Sequence, residues 1–169
     1  MLITDEVYNL MTEGKKHLRL IDRVLPDEDS KPMDLYTVDM QPLELIDEMG
    51  LNEDKKLSGK EKRQKKVYQS INRKDLQEGI AKEGVTKELW NSDEIKTMQE
   101  PYSSRFYDEW KIAFERYVSG NWEAAVRQLQ LTNDLGPNGV DGPSLSLIKF
   151  IEEHDRKAPE DWKGYRNFD

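Results

Sequence analysis

The chain of 169 residues has no cysteine and only two histidines. The absence of cysteine excludes a disulfide framework, a thiolate nucleophile and a cysteine-based zinc site. His17 and His154 match no metal-ligand spacing, so we interpret each as an exposed or packing side chain rather than a metal ligand or catalytic base. No apolar run approaches the roughly 18 residues that a membrane-spanning helix needs. An intracellular protein without a membrane span is expected.

Positive charge is also scarce, since 26 lysines and arginines face 34 acidic residues and give a net charge of −8. This balance argues against nucleic acid or an anionic membrane as a partner. The local basic run at residues 60–66, KEKRQKK, has the acidic neighbours Glu53, Asp54 and Glu61, and we interpret it as a solvated linker or helix face. Charged and apolar residues each make up 36% of the chain, which indicates small cores joined by linkers.

The first forty residues indicate a short helix followed by two strands. Thr4 is a candidate N-cap, and residues 18–24 and 33–40 have the apolar and β-branched content of strands. Pro26 and Pro32 confine the acidic segment between them to a loop. One helix and two strands cannot cover both faces and both edges of a sheet, so this segment is predicted to belong to a larger domain.

The middle of the chain is strongly polar. Residues 43–49 predict a short helix, and the pattern of residues 67–84 allows a helix without requiring one. Thr86 and Ser92 are predicted N-caps of two further short helices, and Pro101 ends the second.

The last third has the clearest helical pattern. Apolar side chains at helical spacing place one face of a first helix inward: Phe106, Trp110, Ala113, Phe114 and Tyr117. Asn121 is the predicted N-cap of a second helix, in which Ala125, Val126 and Leu129 point inward. A third helix is predicted over residues 143–154, with Pro143 in its first position and Leu147, Ile148 and Ile151 inward.

The run GNWEAAVRQLQLTNDLGP resembles one tetratricopeptide unit. Gly120 marks the turn, Ala125 takes the close helix crossing, Leu129 is the large inward residue and Pro137 ends the unit. Thr132 departs from the pattern, because a small apolar residue is usual there. A single repeat cannot bury its own face, so the third helix is expected to complete it.

The tail APEDWKGYRNFD is too short for a core of its own and is expected to pack on the repeat or on a partner. Aromatic and large apolar side chains of the tail and the helices are the candidates for protein interaction: Phe106, Trp110, Trp122, Leu129, Trp162, Tyr165 and Phe168.

No motif for catalysis or cofactor binding was found. The segment DLGPNGVDG at residues 134–142 resembles a calcium loop at Asp134 and Gly139 but fails at Gly136 and Leu145, so its glycines are assigned to turns. No catalytic, metal or cofactor-binding residue is predicted, and no cofactor is expected.

Three segments near the start, LITDEVYNLM, LRLIDRV and KPMDLYTVDM, resemble the end of the catalytic domain of class III nucleotide cyclases, the adenylate and guanylate cyclase family. FERYVSGNWEAAVRQL, DGPSLSLIKFI and APEDWKGYR resemble the cytoplasmic C-terminal extension of many protist and algal members. The resemblance implies an α+β chain in three parts: an incomplete cyclase-like αββ segment at 1–50, a charged and partly helical linker at 51–101, and a tetratricopeptide-like module with a tail at 102–169.

The resemblance also implies that the metal-binding aspartates, the base-recognising residues and the transition-state asparagine and arginine all precede this segment. One family feature falls within it, a loop lysine and glycine near the triphosphate, and those positions are Asp27 and Glu28 here. A carboxylate 4 Å from a phosphate charge costs roughly 4 kcal/mol at an effective dielectric near 20. Nucleotide binding at this loop is therefore not expected.

The leading hypothesis is a non-catalytic, cyclase-derived structural or docking subunit of an intracellular assembly, cytoplasmic or cytoskeletal. It would bind protein partners through the sheet edge and the helical module. A ciliary or axonemal setting is extrapolated from where such cyclases are prominent. The alternative is the C-terminal part of an active cyclase whose catalytic residues lie upstream. Met1, Asp27 and Glu28 favour the first hypothesis. A third hypothesis is a regulatory chain that completes another cyclase subunit's sheet.

Overall fold

The computed structural model describes residues 2–27, 29–41, 90 and 92–167. The chain divides into two compact units, one of residues 1–41 and 99–169 and one of residues 42–98. The predicted helix at 43–49, the basic run at 60–66, the pattern at 67–84 and the cap at Thr86 lie outside the described residues. A short helix, α2 (Asp93–Gln99), begins where predicted, and Ile95 donates its backbone N–H to Ser92 Oγ at 3.3 Å.

The first unit contains a four-stranded mixed sheet. Its strands are β1 (Leu2–Thr4), β2 (Leu18–Leu25), β3 (Met33–Val38) and β4 (Arg166–Asn167), in the order β1-β3-β2-β4. β3 pairs antiparallel with β1 and β2, while β4 pairs parallel with β2. The α+β prediction is confirmed, and the two short outer strands were not predicted.

The first helix, α1 (Asp5–Leu10), follows β1 directly, as Thr4 and its acidic first turn predict. Its Tyr8 ring stacks on Tyr36 of β3 at a centroid distance of 4.3 Å. Since Tyr36 pairs with Ile3 and Leu20 across the sheet, these residues mark the face that α1 partly covers.

Three helices follow the predicted pattern: α3 (Ser104–Val118), α4 (Trp122–Leu135) and α5 (Gly142–Glu152). Their inward side chains form the core, which includes the predicted Trp110, Tyr117, Ala125, Leu129, Leu147 and Ile151. Gly120 makes the turn between α3 and α4 at φ +80°. Asn121 precedes α4 as predicted, but its side chain makes no capping hydrogen bond.

The tail packs on the helices. Trp162 donates its indole N–H to the carbonyl of Val118 at 3.0 Å and lies edge-on against Trp122, with ring centroids 4.9 Å apart. Beyond it, β4 pairs with the end of β2. The hairpin and the helical module, which the sequence assigned to separate parts, therefore belong to one compact unit. Among the described helices, none has the length and apolarity to cross a membrane.

Candidate functional site: the hairpin junction and the sheet edge

A buried ionic cluster joins the hairpin to the helical module. Arg19 of β2 donates from Nε and Nη2 to Asp39 at 2.8 Å each, and from Nη2 and Nη1 to Asp141 at 2.7 and 3.2 Å. Asp141 is also the N-cap of α5, where it accepts the backbone N–H of Ser144 at 2.9 Å. We call Arg19, Asp39 and Asp141 the Arg19 cluster. It fixes the start of α5 against the sheet.

Two aromatic rings of α3 lie against the same guanidinium. The Arg19 guanidinium carbon is 4.8 Å from the ring centroid of Phe106 and 4.4 Å from that of Trp110. Such contacts stabilise a desolvated cation by about 2 kcal/mol. The predicted inward face of α3 therefore packs on a strand charge as well as on the helical core.

Burial controls the acid-base behaviour of the Arg19 cluster. Burial raises the pKa of the Asp39 carboxyl, while the hydrogen bonds and charge of Arg19 lower that pKa by less. For Arg19, burial lowers the pKa, but its hydrogen bonds to Asp141 and Asp39 and their negative charges together outweigh burial, so the net direction is upward. Burial also raises the pKa of the Tyr107 hydroxyl, and the negative charge of Asp39 raises that pKa further. The charged groups of the cluster are bound to one another, so we interpret the arrangement as a structural junction between the hairpin and the helices.

The outer edge of β2 is closed by the C-terminal half of the chain. Trp110 donates its indole N–H to the backbone carbonyl of Leu20 at 2.8 Å. Farther along β2, β4 pairs with Val24 and Leu25, and Arg166 donates from Nε to Asp22 at 2.8 Å. The protein's own helix and tail therefore occupy this edge of the hairpin.

Four of the predicted interaction residues are in the core. Phe106, Trp110, Trp122 and Leu129 are buried, so they cannot form an external surface without unfolding the module, and we correct their assignment. The packing of the core therefore accounts for their helical spacing.

The other three candidates belong to the tail. Trp162 and Tyr165 are half-buried and line a cleft of about 340 Å³ with Phe150, His154 and Arg166. Phe168 lies outside the described residues. The tail thus packs on the helices of the protein itself.

The acidic loop between β2 and β3 is organised by its own first carboxylate. Asp27 is exposed, and it accepts the backbone N–H of Asp29 at 3.1 Å and the hydroxyl of Ser30 at 2.7 Å. Glu28 lies outside the described residues. Asp27 therefore stabilises a turn of this loop.

Neither histidine lies in a metal cluster within the described residues, where no group of three or more potential ligand side chains is close enough to hold an ion. His154 packs its ring on Phe150 at a centroid distance of 4.7 Å and donates from Nδ1 to the carbonyl of that residue. His17 hydrogen bonds through Nδ1 to Gln99 Oε1 at 2.8 Å.

The opposite edge of the sheet has a different character. No described strand pairs with the outer edge of β1, which is outermost in the strand order. Three apolar side chains nearby are solvent-exposed, Leu2 by 57%, Val7 by 49% and Leu10 by 82%. Val7 and Leu10 lie on α1, and no described residue covers either of them fully. We call Leu2, Val7 and Leu10 the N-terminal exposed set.

Two features are therefore candidates for function: a closed, ion-paired junction and an open edge flanked by apolar side chains. Neither contains a catalytic arrangement among the described residues. No protein-family model, curated protein or solved structure matches the chain, so the cyclase and tetratricopeptide resemblances stay predictions from its residues.

Proposed function

We propose that the chain is a non-catalytic, cyclase-derived docking subunit of an intracellular protein assembly. The resemblance makes a cilium the setting to examine first. One observation carries the proposal: the N-terminal exposed set lies at or directly after the strand whose outer edge has no described partner. Exposed apolar side chains beside an open sheet edge are typical of a surface that another protein covers.

The distribution of buried groups supports docking over catalysis. The buried charged side chains of the described residues are all paired. Arg19, Asp39 and Asp141 are bound to one another and to the backbone of α5, and Asp22 is bound to Arg166. Asp27, in the position that the resemblance assigns to a phosphate-facing lysine, is bonded within its own loop. Neither group is placed to act on a nucleotide.

The catalytic part of the proposal is tested with the purified chain, ATP or GTP, and Mn²⁺ or Mg²⁺. We expect no cyclic nucleotide above a protein-free control. Product formation that scales with protein concentration would refute the non-catalytic assignment.

The docking part is tested by removing the N-terminal exposed set. A triple variant, Leu2→Ser, Val7→Ser and Leu10→Ser, is compared with the wild type by quantitative co-isolation after cross-linking in native cells. The matched control replaces three other exposed apolar residues by serine: Ile112, Val140 and Leu145, which are 40, 57 and 45% exposed. We expect partners to be lost from the first variant and kept by the second. Equal retention by both would refute docking at this surface.

The alternative function, the C-terminal part of an active class III cyclase, is favoured by the same open edge, because an unpaired outer strand can continue a larger sheet. The upstream coding sequence separates the two. Paired metal-binding aspartates and an asparagine-arginine helix encoded in frame before Met1 would favour the enzyme. Stoichiometric co-purification with a separate cyclase chain would instead favour a regulatory subunit that completes another sheet.

A further inference from the structure

The geometry of β1 determines which of its side chains lie beside the open edge on the helical side of the sheet. β1 pairs with β3 in the register Leu2 with Thr37 and Thr4 with Leu35. Directly paired residues point to the same face, and successive residues to opposite faces. Leu2 therefore shares its face with Leu35, whereas Ile3 is on the face of Tyr36 and α1.

A cleft of about 220 Å³ lies on that helical side and extends from Leu2 at the edge, across β3 and β2, to Arg166 of β4. Leu2 lies at its exposed rim, while Leu35 of β3 and Leu147 of α5 are buried and form fixed walls. Pro143 and Ser146 of α5 complete the side opposite the sheet. The ion pair of Asp22 and Arg166 is also in the lining, with each charge already bound to the other.

We propose that the outer edge of β1 binds an extended segment of a partner protein by strand addition, with one aliphatic side chain of that segment in this cleft. The inference rests on the proposed docking function and names the chemistry of the partner. A sheet edge presents main-chain donors and acceptors that another strand satisfies, and pockets for alternate side chains then select the sequence.

The cleft determines what the incoming strand carries. Its walls are aliphatic side chains, a proline and one serine, and its charged pair is internally neutralised. A charged side chain would therefore lose hydration without gaining a partner. Because β1 has three residues, it offers few main-chain hydrogen bonds. The aliphatic side chain in the cleft therefore supplies much of the affinity, and a proline or glycine in its place does not.

The experiment starts with short random peptides displayed for selection on the full chain. Selected peptides are resynthesised and their binding is measured by fluorescence anisotropy. We expect an aliphatic residue at one fixed position. We also expect that N-methylation at alternate amides weakens binding about tenfold or more, while N-methylation of the intervening amides does not. Failure to select any peptide, or binding indifferent to N-methylation, would overturn strand addition.

Two variants test whether the peptide binds in this cleft. Ser146→Phe fills the cleft from the exposed side, and Leu2→Lys adds a charge at its rim; both side chains are exposed, so the fold is expected to persist and is checked by thermal denaturation. Leu145→Phe and Val140→Lys are matched controls at exposed positions that do not line the cleft. We expect about a tenfold loss of peptide affinity for the first pair only. Equal affinities for all four variants would overturn the assignment.

The outcomes separate this inference from the proposed function. If Ser146→Phe keeps every partner that the Leu2, Val7 and Leu10 triple variant loses, docking holds and binding of a partner side chain in the cleft is wrong. If the triple variant itself keeps its partners, the docking function is wrong. A concentration-dependent dimer in sedimentation that Leu2→Lys abolishes would identify a second copy of the chain as the occupant and would overturn the partner-strand proposal.

Discussion

Replacing Arg19 by methionine tests the junction between the hairpin and the helices. The substitution keeps an unbranched side chain between Phe106 and Trp110 but leaves the carboxylates of Asp39 and Asp141 buried without their cation. Breaking a buried ion pair by removing one partner costs about 3–5 kcal/mol. Since domains are stable by about 5–15 kcal/mol in total, Arg19→Met is expected to remove a large fraction of the stability.

The matched variant is Arg19→Lys, which keeps the charge but cannot reproduce the four hydrogen bonds of the guanidinium fork. We expect a smaller loss, about 2 kcal/mol. Both are measured by urea denaturation followed by tryptophan fluorescence, because Trp110 and Trp122 are in the core. Should Arg19→Met fail to fold, Asp141→Asn keeps an N-cap side chain but removes the negative charge and one hydrogen-bond acceptor of the cluster.

The pH dependence gives a sharper criterion. Burial raises the folded-state pKa of Asp39, so its contribution to stability is complete below the ordinary carboxyl pKa of about 3.9 and is lost as pH rises through the folded pKa. Without Arg19 the pKa of Asp39 rises further. More of the stability that protonated Asp39 contributes is then lost between pH 4 and neutrality. The difference in unfolding free energy between the wild type and Arg19→Met should therefore become smaller as pH is lowered from about 7 towards 4. A deficit below about 1 kcal/mol at neutral pH, or one unchanged by pH, would refute the reasoning.

Three further predictions concern the helical module. Ser103→Ala should cost about 1 kcal/mol because its hydroxyl accepts the N–H of the third helical residue, whereas Asn121→Ala, without a capping bond, should cost little; calorimetry of both variants checks this, and equal losses would contradict it. Trp162→Ala should cost about 2 kcal/mol through lost ring contacts and an unpaired carbonyl, and a thermal melt unchanged from wild type would contradict that. Gly120→Ala should cost more than Gly139→Ala in urea titrations. Both have positive φ, but only at Gly120 would a Cβ lie 3.3 Å from two side chains; equal costs would show that the tail does not press on this turn.

The helices were predictable because their signals are local. Apolar spacing located α3, α4 and α5, and Pro143 lies in the first turn of α5 as expected. The inward positions followed from the same spacing. What the spacing could not decide was whether Trp110 and Trp122 face the protein's own core or a partner, since both need the same amphipathic pattern.

The junction was not predictable in the same way. Arg19 and Asp141 are 122 positions apart, and a charge in a strand is ordinarily a solvated residue. A local signal did exist, because Asp141 precedes Gly-Pro-Ser and is a good N-cap, but nothing local joins it to Arg19. The outer strands β1 and β4 were missed because three and two residues are too short to show alternation.

The closure of β2 by the tail has a consequence for synthesis. Arg166 is translated 144 residues after Asp22, an interval on the order of ten seconds at the usual rates of elongation. During that interval the hairpin leaves the ribosome before the tryptophan and the terminal strand that occupy its edge. Neighbouring nascent chains on one messenger could then pair edge to edge. The charges of Arg19, Asp22 and Arg23 along β2 oppose such pairing. The side chains that form ion pairs in the folded protein therefore also disfavour aggregation of the nascent chain.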